Sequence, residues 1–416
     1  MSHATTVTSP TKSSPTLLPT VAESDLPRLL APTRRLGFIV GGVGTLLAFA
    51  LALLIPQIFL PAYLASYVFV LGAGVGSLGI LLLHHLVGGQ WGFVIRRPLE
   101  ASTMSLPWMA LLFLPIAAGA RGFYDWADPE IVANSPALTF KHGYLNLPFW
   151  LFRAALYLGL WNVIALLVQR NSRMQDNTED PAPTRRNQTI AAPGLIVLFV
   201  TVTFAAIDWM MSIEPTWYSS IYGVMILVGW ILSALTAMTI VSSRLSARGL
   251  LQEVALPVGF HDLGNLTLAF VMLWAYMSFS QYLIIWSGNI AEELPWYLNR
   301  SDGLWRYICI ILMVFHFFVP FFLLLVRENK RESSRLWKIG AWVLVMQLVN
   351  TVWLIVPAYK SYQWAQVLLV APALAAVAGV WAWSFIGNLT SRPIVPRNDP
   401  LLAEAVEHHG HGGGGH

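Results

Sequence analysis

The chain has 416 residues, of which 56% are hydrophobic and only 11% charged, with a mean hydropathy of +0.60. A soluble domain carries about 25% charged residues, so a water-soluble globule is excluded and an all-α polytopic membrane protein is expected. The net charge of +4 says little as a total, because what matters is which loops hold the Lys and Arg.

In chain order, the first 35 residues are polar and rich in Ser, Thr and Pro ("SHATTVTSPTKSSPT"). They lack the charged-apolar-small order of a cleavable signal and read as a disordered cytoplasmic arm. A span needs about 20 apolar residues. Ten such runs follow, at 36–55, 62–86, 104–122, 149–168, 190–212, 220–242, 263–287, 305–326, 337–356 and 364–386. The end "EHHGHGGGGH" is a Gly/His-rich tail that reads as disordered.

The loops alternate in charge. One side holds both termini and the loops near 87–103, 169–189, 243–262 and 327–336. It carries Arg34, Arg35, Arg96, Arg97, Arg170, Arg173, Arg185, Arg186, Arg244, Arg248, Arg327, Lys330, Arg331 and Arg335. The other side has only Arg121, Lys141, Arg153, Arg300, Arg306 and Lys360 and is rich in Trp, Tyr and acids. The bias predicts that both termini are cytoplasmic.

A phrase occurs twice on the opposite, outer side: "LPFWLFR" at 147–153 and "LPWYLNR" at 294–300. Four spans separate the copies, so they face the same way. This predicts a parallel repeat, with one four-helix bundle over 62–219 and another over 220–363. Flanking spans at 36–61 and 364–390 and a tail at 391–416 complete the division. The plainer reading is local, since Pro suits a first helical turn and aromatics suit a membrane interface.

Ionisable groups inside spans face a partner, a cavity or a proton route. Asp208, in "TFAAIDWMMSIEP", and Arg153 lie at similar outer depth and are expected either to pair structurally or to border an aromatic pocket. His84 and His85 close the second span beside "GG", where histidine titration would suit proton uptake. His316 sits in the middle of the eighth span. His261 and Asp262 begin the seventh, Asp262 as a helix cap. Tyr276, Ser278, Ser280, Gln281 and Tyr282 form a polar run that would line water or an interhelical seam. Arg121, Asp125, Lys141 and His142 crowd one outer loop. There they would face a quinone headgroup or a docked partner, because a quinol loses protons as it is oxidised.

Cofactor chemistry is sparsely provided for. Cys309 is the single cysteine, so neither an intrachain disulfide nor a Cys-ligated iron–sulfur cluster is expected. There is no C-x-x-C-H, and no two helices carry histidines at matching depth, so no haem is expected either.

Four stretches closely resemble the F subunit of bacterial alternative complex III, in the NrfD or polysulfide reductase-like family of membrane subunits. They are "HHLVGGQWGFVIRRPLEA", "KHGYLNLPFWLFR", "AAIDWMMSIEPTWYSSIYG" and "LAFVMLWAYMSFSQYLIIWSGNIAEELPWYLNR". The resemblance runs from about residue 36 to 390. It implies two four-helix bundles with two flanking helices and no covalently bound cofactor, haem or iron–sulfur cluster in this chain. It implies a role in a quinol-oxidising, electron-transporting complex, in quinol (or menaquinol) interaction or transmembrane proton conduction. The implied partners are an iron–sulfur subunit, multihaem and monohaem cytochrome c subunits, the sister C subunit, small membrane subunits and lipids, with no nucleic acid. The implied location is the bacterial cytoplasmic membrane. His142, Arg153 and Asp208 match the places where the family's outer-side pocket would lie, and Arg121 and Asp125, from the same charged loop, are further quinone-binding candidates. His84, His85, Asp208, His316, Tyr276 and Gln281 are the candidates for a proton path. Two alternatives stand beside this reading: a structural anchor and a stand-alone secondary transporter. The transporter would want matching Gly/Pro breaks in both halves, and only the second span has such a run ("LGAGVGSLG").

Overall fold

A computed structural model describes residues 22–251, 254, 257–396 and 398–402. Its described residues form helices and turns, with no strand. Ten helical stretches are long and apolar enough to cross a membrane: Glu23–Leu54, Pro56–Val87, Gln90–Gly122, Leu147–Gln175, Ala182–Ile213, Tyr222–Ser246, Pro257–Gly288, Gly303–Leu325, Ser333–Ala358 and Gln363–Leu389. Backbone satisfaction explains the class, since in lipid a helix meets its own hydrogen-bonding needs.

Several boundaries differ from the sequence expectation. Residues 23–35 are helical and belong to the first span, although they were expected in the disordered arm. The expected loop near 87–103 is mostly the helix Gln90–Thr103, the buried first part of the third span. The fourth span runs on to Gln175 and the fifth starts at Ala182, which leaves a short connection where a long loop was expected. For the third span the cause is that Arg96 and Arg97, which hydropathy places in water, are neutralised inside the protein by Glu100, Asp176 and Asp399. Asp262 also loses its expected role as a cap, because its helix begins earlier, at Pro257.

The second and sixth spans form the centre. Their apolar windows are 83% and 72% buried, against 22% for the first, seventh and eighth. The second packs on the third and fifth, the sixth on the seventh and ninth, and the two pack on each other. The fifth leans on the sixth, and the ninth on the second. The first span lies along the tenth.

Small residues permit these crossings, as is usual where lipid leaves helices no hydrophobic drive to associate. The Gly run of the second span is an unbroken helix, not a break. A Cβ on Gly76 would lie 2.2 Å from the Trp230 carbonyl oxygen of the sixth span. A Cβ on Gly41 would lie 2.4 Å from the Val380 nitrogen, where the first and tenth spans meet.

Gly76→Ala is therefore expected to force the central pair apart, at a cost of about 1–3 kcal/mol. Gly42→Ala, with open space at its Cβ, is the control. Thermal unfolding of the two variants in detergent checks this: the first should melt several degrees lower and the second should not.

Candidate functional site

Three clusters of buried charge stand at the two ends of the bundle. The first is built on the first copy of the repeated phrase. Asn146 caps the fourth span by accepting from the Phe149 amide at 3.0 Å, and Pro148 occupies the first turn. Arg153 then falls one turn inside the helix. Its Nε and Nη2 each donate to an Asp208 carboxylate oxygen at 2.8 Å, a two-pronged grip that suits a planar guanidinium. Tyr157 donates to the same carboxylate at 2.9 Å. The Arg153 guanidinium also lies over the Tyr144 and Phe149 rings, 3.8 and 4.4 Å from their centroids. Trp150 and Ser212 donate to the Asp208 carbonyl at 2.8 and 2.6 Å, and the Asp208 side chain is wholly inaccessible.

A cavity of about 350 Å³ opens beside this cluster, lined by aromatic residues, Lys141 and Ser212. Asp208 itself is not on the wall. Tyr144 and Ser212 belong to both cavity and cluster. Burial and the Asp208 carboxylate raise the Tyr144 phenol above its ordinary value, so it stays a proton donor. Lys141 is committed to the Pro215 carbonyl at 2.5 Å. His142, Arg121 and Asp125 are exposed in the segment between the third and fourth spans. No described hydrogen bond or ion pair joins their side chains to Arg153 or Asp208.

The second copy of the phrase behaves differently. It forms a separate short helix, Leu294–Ser301, and the eighth span starts afresh with Asp302 accepting from the Gly303 amide at 2.8 Å. Arg300 nevertheless repeats the logic of Arg153. Its guanidinium lies over Trp296, four residues back, at 3.8 Å, just as Arg153 lies over Phe149. Its carboxylate partner is Glu214 at 2.7 Å, not the neighbouring Glu292 or Glu293. Asn299 donates to the same carboxylate at 3.2 Å, and Arg300 Nη2 donates to the Leu354 carbonyl at 2.8 Å. Burial pulls the Arg300 guanidinium below its ordinary value, and the Glu214 carboxylate opposes that pull.

The third cluster lies at the end that carries the described termini, and sequence reading missed it. Glu100 accepts from Arg97 at 2.6 Å, Ser172 at 2.7 Å, Arg392 at 3.1 Å and Arg96 at 3.3 Å. Asp176 pairs with both Arg97 and Arg392. Asp399 lies 2.6 Å from Arg96 and accepts from Thr184 at 3.3 Å. Three cations and three anions balance, which is what makes burial tolerable. Arg392 and Asp399 come from the segment that follows the last span, so the expected tail is ordered and packed over 391–396 and 398–402. Residues 403–416 lie outside the described residues. The signal available in the sequence was a carboxylate three residues after an Arg pair, in "IRRPLE".

The remaining candidates scatter. His84 and His85 are buried beside the third cluster. His84 Nε2 is 3.1 Å from the Gly89 carbonyl, so that nitrogen carries the proton, and Nδ1 of each ring lacks a partner among the described residues. His316 is wholly buried, neither ring nitrogen has a side-chain hydrogen-bond partner among the described residues, and its ring centroid lies 4.1 Å from that of Trp274. It sits in a π-helical stretch, Leu312–Phe318, where Trp342 donates to the Phe315 carbonyl at 2.7 Å. Gln281 faces inward and accepts from Ser219. Tyr276 is 65% exposed on the outer face of the seventh span, so the expected polar run does not form one lining. Among the described residues no group of three His, Cys, Asp or Glu is placed to hold a metal ion.

Compared with known proteins, the chain matches no family model and no curated protein.

Removing one member of a buried pair strands the other, at about 3–5 kcal/mol. Arg153→Ala and Asp399→Ala should each lower the melting midpoint more than Arg335→Ala, whose pair with Glu332 is exposed. Thermal unfolding in detergent checks the ranking. An Asp399→Ala variant as stable as Arg335→Ala would show that the segment after the tenth span is not held by this pair.

Proposed function

We propose that this chain is an integral membrane subunit of a quinol-oxidising respiratory or photosynthetic complex, alternative complex III, and that it contributes to quinol interaction, proton conduction or both. The observation that carries the reading is the Asp208 carboxylate. It is wholly buried, gripped by Arg153 and Tyr157, and its cluster shares Tyr144 and Ser212 with the wall of an aromatic cavity.

Quinol oxidation releases two protons with two electrons. A flat ring suits the cavity's aromatic walls, while the Tyr144 phenol offers a hydrogen bond to one of its oxygens. Asp208 is not on the cavity wall, so a proton leaving the ring would reach its carboxylate by way of Tyr144 and not by direct contact. Electrons would pass to the partners, an iron–sulfur subunit and c-type cytochrome subunits, beside the sister C subunit and small membrane subunits. The proposed setting is the bacterial cytoplasmic membrane with both termini inside. The excess of Lys and Arg on the terminal side supports that orientation even when the buried Arg96 and Arg97 are set aside.

A second reading, a structural anchor, is favoured by the completeness of the pairing: every carboxylate in the three clusters has a cationic partner.

Asp208→Asn separates the two. The variant keeps the shape and leaves Arg153 a neutral acceptor. In the assembled complex in vesicles, quinol oxidation and proton release are measured together. The functional reading expects at least a fivefold fall in proton release, in quinol oxidation, or in both. An assembled variant with both rates unchanged makes Asp208 structural and favours the anchor.

A further inference from the structure

The seam where the second, sixth and ninth spans meet holds polar groups that the three charge clusters do not use. Ser233, Gln347, Asn350 and Thr351 line a cavity of about 10 Å³ there, the room of a single water. Gln347 is 2% exposed, and its Nε2 has no hydrogen-bond partner among the described residues. Its Oε1 accepts weakly from Asn350 at 3.4 Å. Gly229 makes the space, since a Cβ there would lie 3.2 Å from Gln347 Nε2.

The outer wall of this cavity includes Met210 and Leu354. Met210 is two residues from Asp208, and the Leu354 carbonyl accepts from Arg300. The cavity therefore stands between the two outer ion pairs. In the other direction the sixth span carries Ser233, Thr236, Thr239 and Ser243, all buried. Their spacing of three, three and four keeps them on one helical face over about 15 Å, half the hydrocarbon thickness. A membrane helix usually ties such hydroxyls to its own carbonyls, as Ser233 does to Gly229 and Thr236 to Leu232. Thr239 and Ser243 lack a partner among the described residues. The row ends where Ser242 donates to the Val94 carbonyl, two residues before Arg96 of the third cluster.

We propose that this seam is a water-binding site anchored by Gln347, and that it is the route by which protons cross this subunit. The proposal rests on the proton-conduction reading above and names its path. Residues three or four apart on one helical face have Cβ atoms about 5–6 Å apart, no direct hydrogen bond joins these hydroxyls among the described residues, and one water between neighbours would bridge them. Each transfer forms one O–H bond on the receiving oxygen and breaks one on the giving oxygen. Every group is neutral again once the next proton has passed. The Gln347 amide orients the first water by donating to it, so the water's lone pair and its own protons point along the seam.

Gln347→Leu and Thr239→Val test the route in the assembled complex in vesicles, with Asp208→Asn beside them. The expected result is at least a fivefold loss of proton movement in both variants, with quinol oxidation within twofold of the unaltered complex. Gln347→Asn, which keeps an amide N–H donor one methylene shorter, should recover part of the flux. A map of the complex that resolves ordered waters should show one within hydrogen-bond reach of Gln347 Nε2. Should Gln347→Leu fail to assemble, the nearly isosteric Thr239→Val decides alone. If proton movement persists in the seam variants while Asp208→Asn abolishes it, the route is overturned and the functional reading stands. If the unaltered complex moves no protons across the membrane, the route and the proton-conduction reading fall together, and only the quinol-interaction reading stands, decided by quinol oxidation in Asp208→Asn.

Discussion

Burying a charge away from water is tolerable only when an opposite charge and hydrogen bonds replace the lost solvation. That constraint organises this protein. Arg153 with Asp208, Arg300 with Glu214, and the six-membered cluster around Glu100 are each paired, and each ties together segments distant in sequence. The outer pairs fix how the fourth and fifth spans meet, and how the short helix before the eighth span sits on the loop after the fifth. The cluster at the terminal end pulls the segment after the tenth span onto the third, fourth and fifth spans. In a medium that supplies no hydrophobic drive between helices, these pairs and the close glycine crossings do the work of a soluble core.

The twin phrases show how one sequence device serves two geometries. In both, Pro opens a helix and an aromatic four residues before the Arg lies beneath its guanidinium. The first copy continues into a span, so Arg153 can reach a carboxylate on the neighbouring helix. The second copy stops at Asp302, and Arg300 turns to Glu214 in a loop. The cavity beside Asp208 is lined by Met211 and the polar seam at Gln347 by Met210, so the two lie on successive residues just past Asp208.

Much of the fold was legible because lipid imposes strong rules. Ten apolar runs give ten helices, and the sidedness of Lys and Arg separates the loops into two sets. The Arg153–Asp208 pair was legible too, since both residues interrupt apolar runs at the same depth. Arg96 and Arg97 were misplaced because an Arg pair followed by Pro reads as a loop when its neutralising partners, Asp176 and Asp399, lie about 80 and 300 residues away. The polar seam was invisible for a related reason: single Ser, Thr and Gln residues barely lower the hydropathy of a span.

The sequence by itself therefore determined the class, the number of spans and the places where charge enters the membrane, because each depends only on local composition and on lipid. Tertiary structure alone decided which charge meets which. It made Glu214 the partner of Arg300, brought Asp399 to Arg96, left Tyr276 on an outer face and turned Gln281 inward. Those outcomes depend on the rotation of each helix about its own axis and on which helices are neighbours. Packing against distant segments sets both, and a single span carries no record of it.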